Sequence, residues 1–275
     1  MPRPPLDGVI LLTGASSGIG RAMALQLAPR AKAIALVARR RELLDGLAAE
    51  LGRVAPSCKI AVVPCDLGDL AASEVMIAEV EKTLGPVDVL INNAGFGDME
   101  LFEVASFEKL HRMITLNCTS LTFLTHRVLA GMVARGRGGV MNISSGFGLT
   151  FGPGLAAYVA TKHYVSALTE SIRCELAGTG VAMTQVCPGP VATEFMEVSG
   201  NFTGEAPPAL VTLTADQCAR AALSGFSSGR AMVIPGFVMK LVMLSAALTP
   251  RWLLRLVYHP IAKVLRKKRF EAKKA

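Results

Sequence analysis

Seven short apolar runs punctuate the first 236 residues: "GVILLT" (8–13), "AIALVA" (33–38), "KIAVVPCDL" (59–67), "VDVLINNAG" (87–95), "GVMNISS" (139–145), "VAMTQVCPG" (181–189) and "AMVIPG" (231–236). The first six are each followed by a stretch with helical spacing, such as "RELLDGLAAEL", a long segment at about 107–135, and a helix at 214–225. The runs are apolar throughout and do not alternate with polar residues, which is the pattern of parallel strands covered on both faces. The predicted fold is therefore α/β: one Rossmann-type, doubly wound parallel sheet of about seven strands with helices on both faces. No repeat or linker interrupts residues 1–236, which form one expected domain. Residues 237–275 form a hydrophobic and basic helical extension.

Of 275 residues, 51% are hydrophobic and 5% aromatic, enough for a large aliphatic core in one domain. The N-terminus lacks the positive region, apolar stretch and small-residue cleavage site of a signal peptide. The six cysteines show no metal-ligand spacing and are expected to be reduced, mostly buried thiols, which points to a cytoplasmic setting and no metal. The net charge of +8 is uneven: nine basic residues and one acid follow Pro250, so the body before it is formally neutral. That excludes a general nucleic-acid binder and leaves any anionic surface to the tail.

"TGASSGIG" (13–20) ends a strand and opens a helix. Gly14 suits a tight turn, Gly18 a close backbone approach to a pyrophosphate, and Gly20 close helix–strand packing, with the helix N-terminus facing the phosphates. A plain βα turn needs the same glycines. The second strand ends "LVARRR" where an acid would select NAD; Arg39 and Arg40 suit a 2′-phosphate, so NADP(H) is favoured over NAD(H). In "YVATK", Tyr158 and Lys162 share a helical face. They are either a core aromatic beside a surface charge, or a phenol whose pKa the ammonium lowers for acid/base work.

Taken together, "TGASSGIG", "CDL" (65–67), "NNAG" (92–95), the Asn of "TLNCTS", "NISS" (142–145), "YVATK" and "PGPVATEF" (188–195) resemble, in order and spacing, the short single-domain branch of the short-chain dehydrogenases/reductases. The resemblance covers about residues 8–236. It implies a catalytic set of Asn117, Ser145, Tyr158 and Lys162, with Ser145 chosen over Ser144 by its distance from Tyr158. Ser145 would stabilise the oxyanion, Tyr158 deliver the proton, and Lys162 lower the Tyr158 pKa and bind the nicotinamide ribose. Asn117 would hold a water; otherwise it is a helix-kink residue with a satisfied amide. The resemblance also implies cofactor contacts from Gly14, Ser16, Ser17, Gly18, Ile19 and Gly20, from Asp66 at the adenine and its neighbour Leu67, from Asn93, Ala94 and Gly95, and from Pro188, Gly189, Val191 and Thr193 near the nicotinamide. One departure is "LAPRAKAIAL", where Pro29 stands in a turn that usually carries glycine. Members often form a homodimer or homotetramer.

Residues 189–213 are the expected substrate flap. Phe147, Leu155, Phe195 and Met196 line an expected apolar pocket for a hydrophobic carbonyl or alcohol, lipid-, acyl- or steroid-like; simple loop packing is the alternative. In the extension, "FVMKLVMLSAAL" is too short to span a membrane, and Pro250 and Pro260 are expected to break the remainder into short helices. The extension fits peripheral contact with an anionic membrane, a helix packed near the substrate mouth, or a subunit contact. The expected activity is NADP(H)-dependent interconversion of a ketone and a secondary alcohol. The alternative is a non-catalytic NADPH-binding regulatory or scaffold protein of the same fold.

Overall fold

The computed structural model describes residues 2–271. The chain runs β1 (Val9–Thr13), α1 (Gly18–Leu27), β2 (Ala33–Ala38), α2 (Arg41–Val54), β3 (Lys59–Pro64), α3 (Leu70–Leu84), β4 (Val89–Asn92), α4 (Phe107–Ile114), α5 (Leu121–Ala134), β5 (Gly138–Ile143), α6 (Ala156–Glu175) and β6 (Val181–Val186). It continues through β7 (Val191–Ala192), α7 (Phe195–Ser199), β8 (Leu213–Thr214), α8 (Ala215–Ser227), β9 (Met232–Val233), α9 (Phe237–Leu248) and α10 (Arg251–Glu271). Seven strands form one parallel sheet in the order β3-β2-β1-β4-β5-β6-β9, and β7 pairs with β8 in a separate ladder beside it.

The unbroken apolarity of the strands follows from their two covered faces. Ile10 and Leu12 pack with Met23 and Leu27 of α1, Leu44 and Leu51 of α2 and Leu223 and Phe226 of α8. Their neighbour Leu11 points the other way, into a second core with Ile77 of α3, Leu124 and Val128 of α5 and Leu176 after α6. Each such side chain, fully buried, contributes roughly 1.5–3 kcal/mol against exposure. The outer strand β3 has neighbours on one side only, and its Lys59 and Pro64 are exposed.

Connections leave β1 towards β3 on one side and β4 towards β9 on the other, so strand order reverses between β1 and β4. A doubly wound sheet opens its ligand crevice at that point, outside the carboxyl ends of the strands. The turn between α1 and β2 closes without glycine: Leu27 O accepts from the N–H of Arg30 and of Ala31, both at 3.0 Å. Asp69 caps α3, accepting from Ala71 N at 2.8 Å and Ala72 N at 3.1 Å.

Two expectations are corrected. The long helix at 107–135 is interrupted, because Thr115–Ser120 forms a π-helical segment between α4 and α5. Such bulges set side chains off the regular helical face, and this one carries Asn117. In the extension, Pro260 does not break the chain; it sits inside the continuous α10. A proline removes one backbone donor and crowds the preceding turn, and here the helix passes through it. The break falls at Thr249–Pro250, and α9 and α10 meet at a bend of 117°.

Candidate active site

Every motif of the sequence reading lies at a carboxyl end of the sheet. After β1, Gly14 and Gly18 take φ of +65° and +52°, the left-handed region that favours glycine. Gly20 brings α1 against the turn so closely that a Cβ there would collide with the backbone carbonyl of Gly14. We expect Gly20→Ala to push the helix off the loop. It should lose about 1–3 kcal/mol of stability, as overpacking does, with weakened dinucleotide affinity; thermal unfolding and cofactor titration check both.

The loop is held from β4. Asn93 Nδ2 donates to Thr13 O at 3.0 Å and to Gly14 O at 3.1 Å, while Thr13 Oγ1 accepts from the backbone N–H of Asn93 and of Ala94, each at 3.0 Å. Thr13 was not singled out from the sequence; a threonine ending an apolar strand at the glycine turn was its only signal. From β2, Arg40 Nη2 lies 3.0 Å from Ser17 Oγ, 3.4 Å from Ser16 Oγ and 3.0 Å from Glu194 Oε2. Arg39 is exposed at the same strand end. Asp66 is exposed after β3 and accepts from Gly68 N at 3.0 Å, whereas Leu67 is buried and its carbonyl accepts from the Ser120 hydroxyl. Ile19 packs into the core beneath the loop. Thr193, in the segment after β7, sits 3.0 Å from where a Cβ on Gly18 would be, so this segment closes onto the glycine loop.

The catalytic candidates converge after β5. Ser145 and Tyr158 are both buried, and the Ser145 hydroxyl accepts from Phe147 N at 3.2 Å. Ser144 is otherwise engaged: its hydroxyl donates to Lys162 O at 3.0 Å and lies 2.8 Å from Ser166 Oγ. This supports the choice of Ser145. Lys162 is 6% exposed, and its Nζ donates to Ile143 O at 2.9 Å. The ammonium stands 5.7 Å from the centre of the Tyr158 ring. Burial pulls Lys162 down to about 8, with the neighbouring Cys118 and Cys187 only partly opposing the shift.

The expected lowering of the Tyr158 pKa is corrected. Burial pushes the phenol up to about 12, and the Ser145 hydrogen bond only partly opposes it. The cause is the apolar cage of Leu110, Met113, Phe96, Phe147, Leu155 and Phe195 around the ring. In addition, the ammonium is directed at a backbone carbonyl.

The Asn117 amide is satisfied: Nδ2 donates to Phe96 O at 2.9 Å and to Thr161 Oγ1 at 3.1 Å, and Oδ1 accepts from Phe96 N at 3.2 Å. Of the two readings for Asn117, the side-chain geometry matches the helix-distortion residue. Its bonds fix the loop after β4 against α6, and a Cβ added on Gly95 there would come within 2.9 Å of Asn117 Oδ1.

Of the expected pocket residues, Phe147, Leu155 and Phe195 pack around Tyr158, with the Phe195 ring 5.5 Å from it; Met196 is not part of that cluster. Phe96, Leu110 and Met113 complete it and were not anticipated. Pro188 O accepts from Gly146 N at 2.8 Å, tying the loop after β6 to the serine loop. Val191 lies in the β7–β8 ladder at the base of the flap. Lys109 joins the flap to the β4 loop through Asp98 at 2.7 Å and Ser199 O at 3.3 Å.

The extension closes over this site. A Cβ on Gly146 would overlap Met243 of α9, and one on Gly189 would come within 2.7 Å of Met239. Along α10, Tyr258 stacks edge-on with Phe151 at 5.3 Å, and Arg266 and Lys268 pair with Glu103 and Glu205. Arg269 pairs with Glu100 at 2.6 Å. Three loops around the mouth are thus fastened to one helix.

A family profile described as short chain dehydrogenase matches residues 8–202. The chain belongs to the short-chain dehydrogenase/reductase family. It is 35% identical over 199 residues to an NADP-dependent 3-hydroxy acid dehydrogenase of Salmonella typhi, covering 72% of this chain and 77% of that one. It is 36% identical over 200 residues to the glycine betaine reductase of Emericella nidulans, of whose length it spans only 16%. Among solved structures, a short-chain dehydrogenase from Sphingobium yanoikuyae in complex with NADPH superposes with a TM-score of 0.78 at 31% identity, covering 87% of this chain and 93% of that one. A bulky-bulky ketone specific alcohol dehydrogenase from Comamonas testosteroni gives 0.73 at 29% identity, with 90% and 92% covered. The superpositions on these two solved structures cover the sheet and helices described above.

Proposed function

We propose that this family member is an NADP(H)-dependent reductase of apolar ketones, working in equilibrium with the secondary alcohol. The observation that carries the proposal is the buried trio of Ser145, Tyr158 and Lys162, with the ammonium 5.7 Å from the centre of the phenol ring, set at the mouth of the crevice that the strand reversal opens. A neutral phenol with a pKa of about 12 is a proton donor at ordinary pH, which suits reduction.

The residues present fit the dinucleotide. The left-handed glycine turn and the start of α1 present backbone N–H groups to a pyrophosphate. Arg40, flanked by the Ser16 and Ser17 hydroxyls and paired with Glu194 at 3.0 Å, forms a donor-rich corner at the end of β2, where the 2′-phosphate of NADP(H) would be held in place of that carboxylate. The NADPH complex and the NADP-dependent name among its relatives support the same choice. When bound, the nicotinamide supplies a hydride to the carbonyl carbon. Tyr158 Oη gives its proton to the carbonyl oxygen, so that C=O becomes CH–OH and a phenolate remains. Ser145 donates a hydrogen bond where negative charge develops, and Lys162 provides the nearby positive charge. Phe96, Phe147, Leu155 and Phe195 exclude water around the phenol and favour an apolar substrate.

Graded ketones of increasing chain length, assayed with NADPH and NADH, test the reading. Catalytic efficiency should rise with chain length, and NADPH should be preferred. Arg40→Ala should cut the NADPH-over-NADH preference by about 10- to 100-fold, the worth of one lost charge-assisted hydrogen bond set. An unchanged ratio would move the phosphate contact to Arg39 or Arg41.

A further inference from the structure

More than half of the large hydrophobic side chains exposed on the described residues lie beyond Gly236, in α9 and α10. Only one side of each helix meets the protein. α9 docks through Met239 and Met243 and leaves Phe237, Leu241, Val242 and Leu248 between 50% and 85% exposed. α10 turns Leu254, Tyr258, Ala262, Leu265 and Arg269 inwards, a stripe at helical spacing. The opposite stripe carries Trp252, Leu256, Pro260 and Val264, all exposed, with Lys263 and Lys267 on the same side. Arg251, Arg255 and Lys263 have no acidic partner among the described residues, whereas Glu100, Glu103 and Glu205 are already paired with Arg269, Arg266 and Lys268.

We propose that this outer face of α9 and α10 seats the protein on an anionic lipid surface, lying in the headgroup region without crossing it. An apolar stripe flanked by Lys263, which has no acidic partner among the described residues, and by Lys267, whose one partner is Glu271 of the same helix at 3.8 Å, with an aromatic at one end, matches that interface in both polarity and charge. No single described helix is long and apolar enough to cross, and the pair is bent by 117°, which lets both helices lie along one surface. A second copy of the chain fits the face less well. It would bring together two segments that each carry nine basic residues and one acid. The inner sides of the same helices touch the loops bearing Ser145 and Pro188, so a seated molecule holds its substrate mouth next to the bilayer. That consequence rests on the apolar-ketone reading; the seating itself does not.

Trp252 is the sole tryptophan and lies on the proposed face, 62% exposed, so its emission reports contact directly. The full chain, without cofactor or substrate, is titrated with vesicles of phosphatidylcholine with or without phosphatidylserine, and pelleting is scored in parallel. We expect a blue shift and pelleting with phosphatidylserine, and much less of either without it. Lys263→Gln with Lys267→Gln should weaken partitioning about thirtyfold, two surface charges' worth. Leu256→Asp should abolish it. Both variants should retain wild-type NADPH-dependent turnover of a small water-soluble ketone, which shows that they fold. The proposal is overturned by an absent shift on phosphatidylserine vesicles, or by variants that bind as well as the parent. It is equally overturned by a shift that grows with protein concentration in the absence of lipid, accompanied by a doubled mass, which would assign the face to a second copy. Vesicle binding without any ketone turnover would leave the seating intact and remove the catalytic reading instead.

Discussion

Tyr158→Phe should lower kcat/KM for ketone reduction by about 10²- to 10⁴-fold, the usual worth of a positioned general acid. NADPH affinity should stay within about twofold, since the substitution removes one hydroxyl and keeps the ring in its cage. The ring is held by Leu110, Met113, Phe147 and Phe195, so the variant should fold normally. The neighbouring Ser145 sits at a loop end and retains its hydrogen bond from Phe147 N at 3.2 Å. The pH profile of the parent enzyme carries the same assignment. Reduction needs a neutral Tyr158 and a charged Lys162. With the phenol near 12 and the ammonium near 8, the rate should be level below about pH 8 and fall above it as Lys162 loses its charge. Alcohol oxidation needs the phenolate and should instead gain from alkaline pH. Activity in Tyr158→Phe within tenfold of the parent would remove Tyr158 from the chemistry.

What the sequence displayed and what it hid follow from the range of the interactions. Strand positions were legible because double burial makes each strand apolar from end to end, and that is a local property of "VILLT" or "AIALVA". The glycine loop and the Tyr158–Lys162 face were legible for the same reason: both depend on spacing within a single turn. Asn117 could be located and a kink there was one of its two readings, but the partners that hold it could not be read. The π-helical segment exists because the amide reaches Phe96 and Thr161, on two other elements. The sign of the Tyr158 shift was hidden for a similar reason. Spacing showed that the ammonium and phenol share a face, but not that the ammonium would be captured by Ile143 O or that Leu110 and Met113 would close over the ring. The buried net of Asn92, Asn142, Thr125 and Thr169 joins β4, β5, α5 and α6 through bonds of 2.9–3.0 Å. Its only trace in the sequence was an asparagine in each of two otherwise apolar strands.

Lys162→Met should move activity and stability in opposite directions. Activity should fall at least about 10²-fold, because the positive charge that offsets the forming phenolate is gone. Stability at neutral pH should rise. The lysine is buried and its pKa is depressed from 10.5 to about 8, so the folded state disfavours the charged form; that difference is worth about 3 kcal/mol at pH 7. Methionine fills similar space without charge. It leaves Ile143 O without its lysine donor, at about 1–2 kcal/mol, so the net gain is about 1–2 kcal/mol, or several degrees in Tm. The linkage gives the sign of the pH dependence. Between pH 8 and 10.5 the unfolded chain holds the Lys162 proton and the folded protein has released it, so the parent gains stability as pH rises through that window. Tyr158 acts oppositely and later: its folded pKa is raised from 10 to about 12, so above pH 10 the unfolded chain loses its proton first and the fold weakens. The parent should therefore climb in stability from pH 8 towards 10, and Lys162→Met should lack that climb while keeping the decline above 10. Thermal unfolding at pH 7, 9 and 11 separates the variant from the parent. A lower Tm for Lys162→Met at pH 7, or a climb that persists in it, would show that the ammonium stabilises the fold and is not a charge held there at the fold's expense.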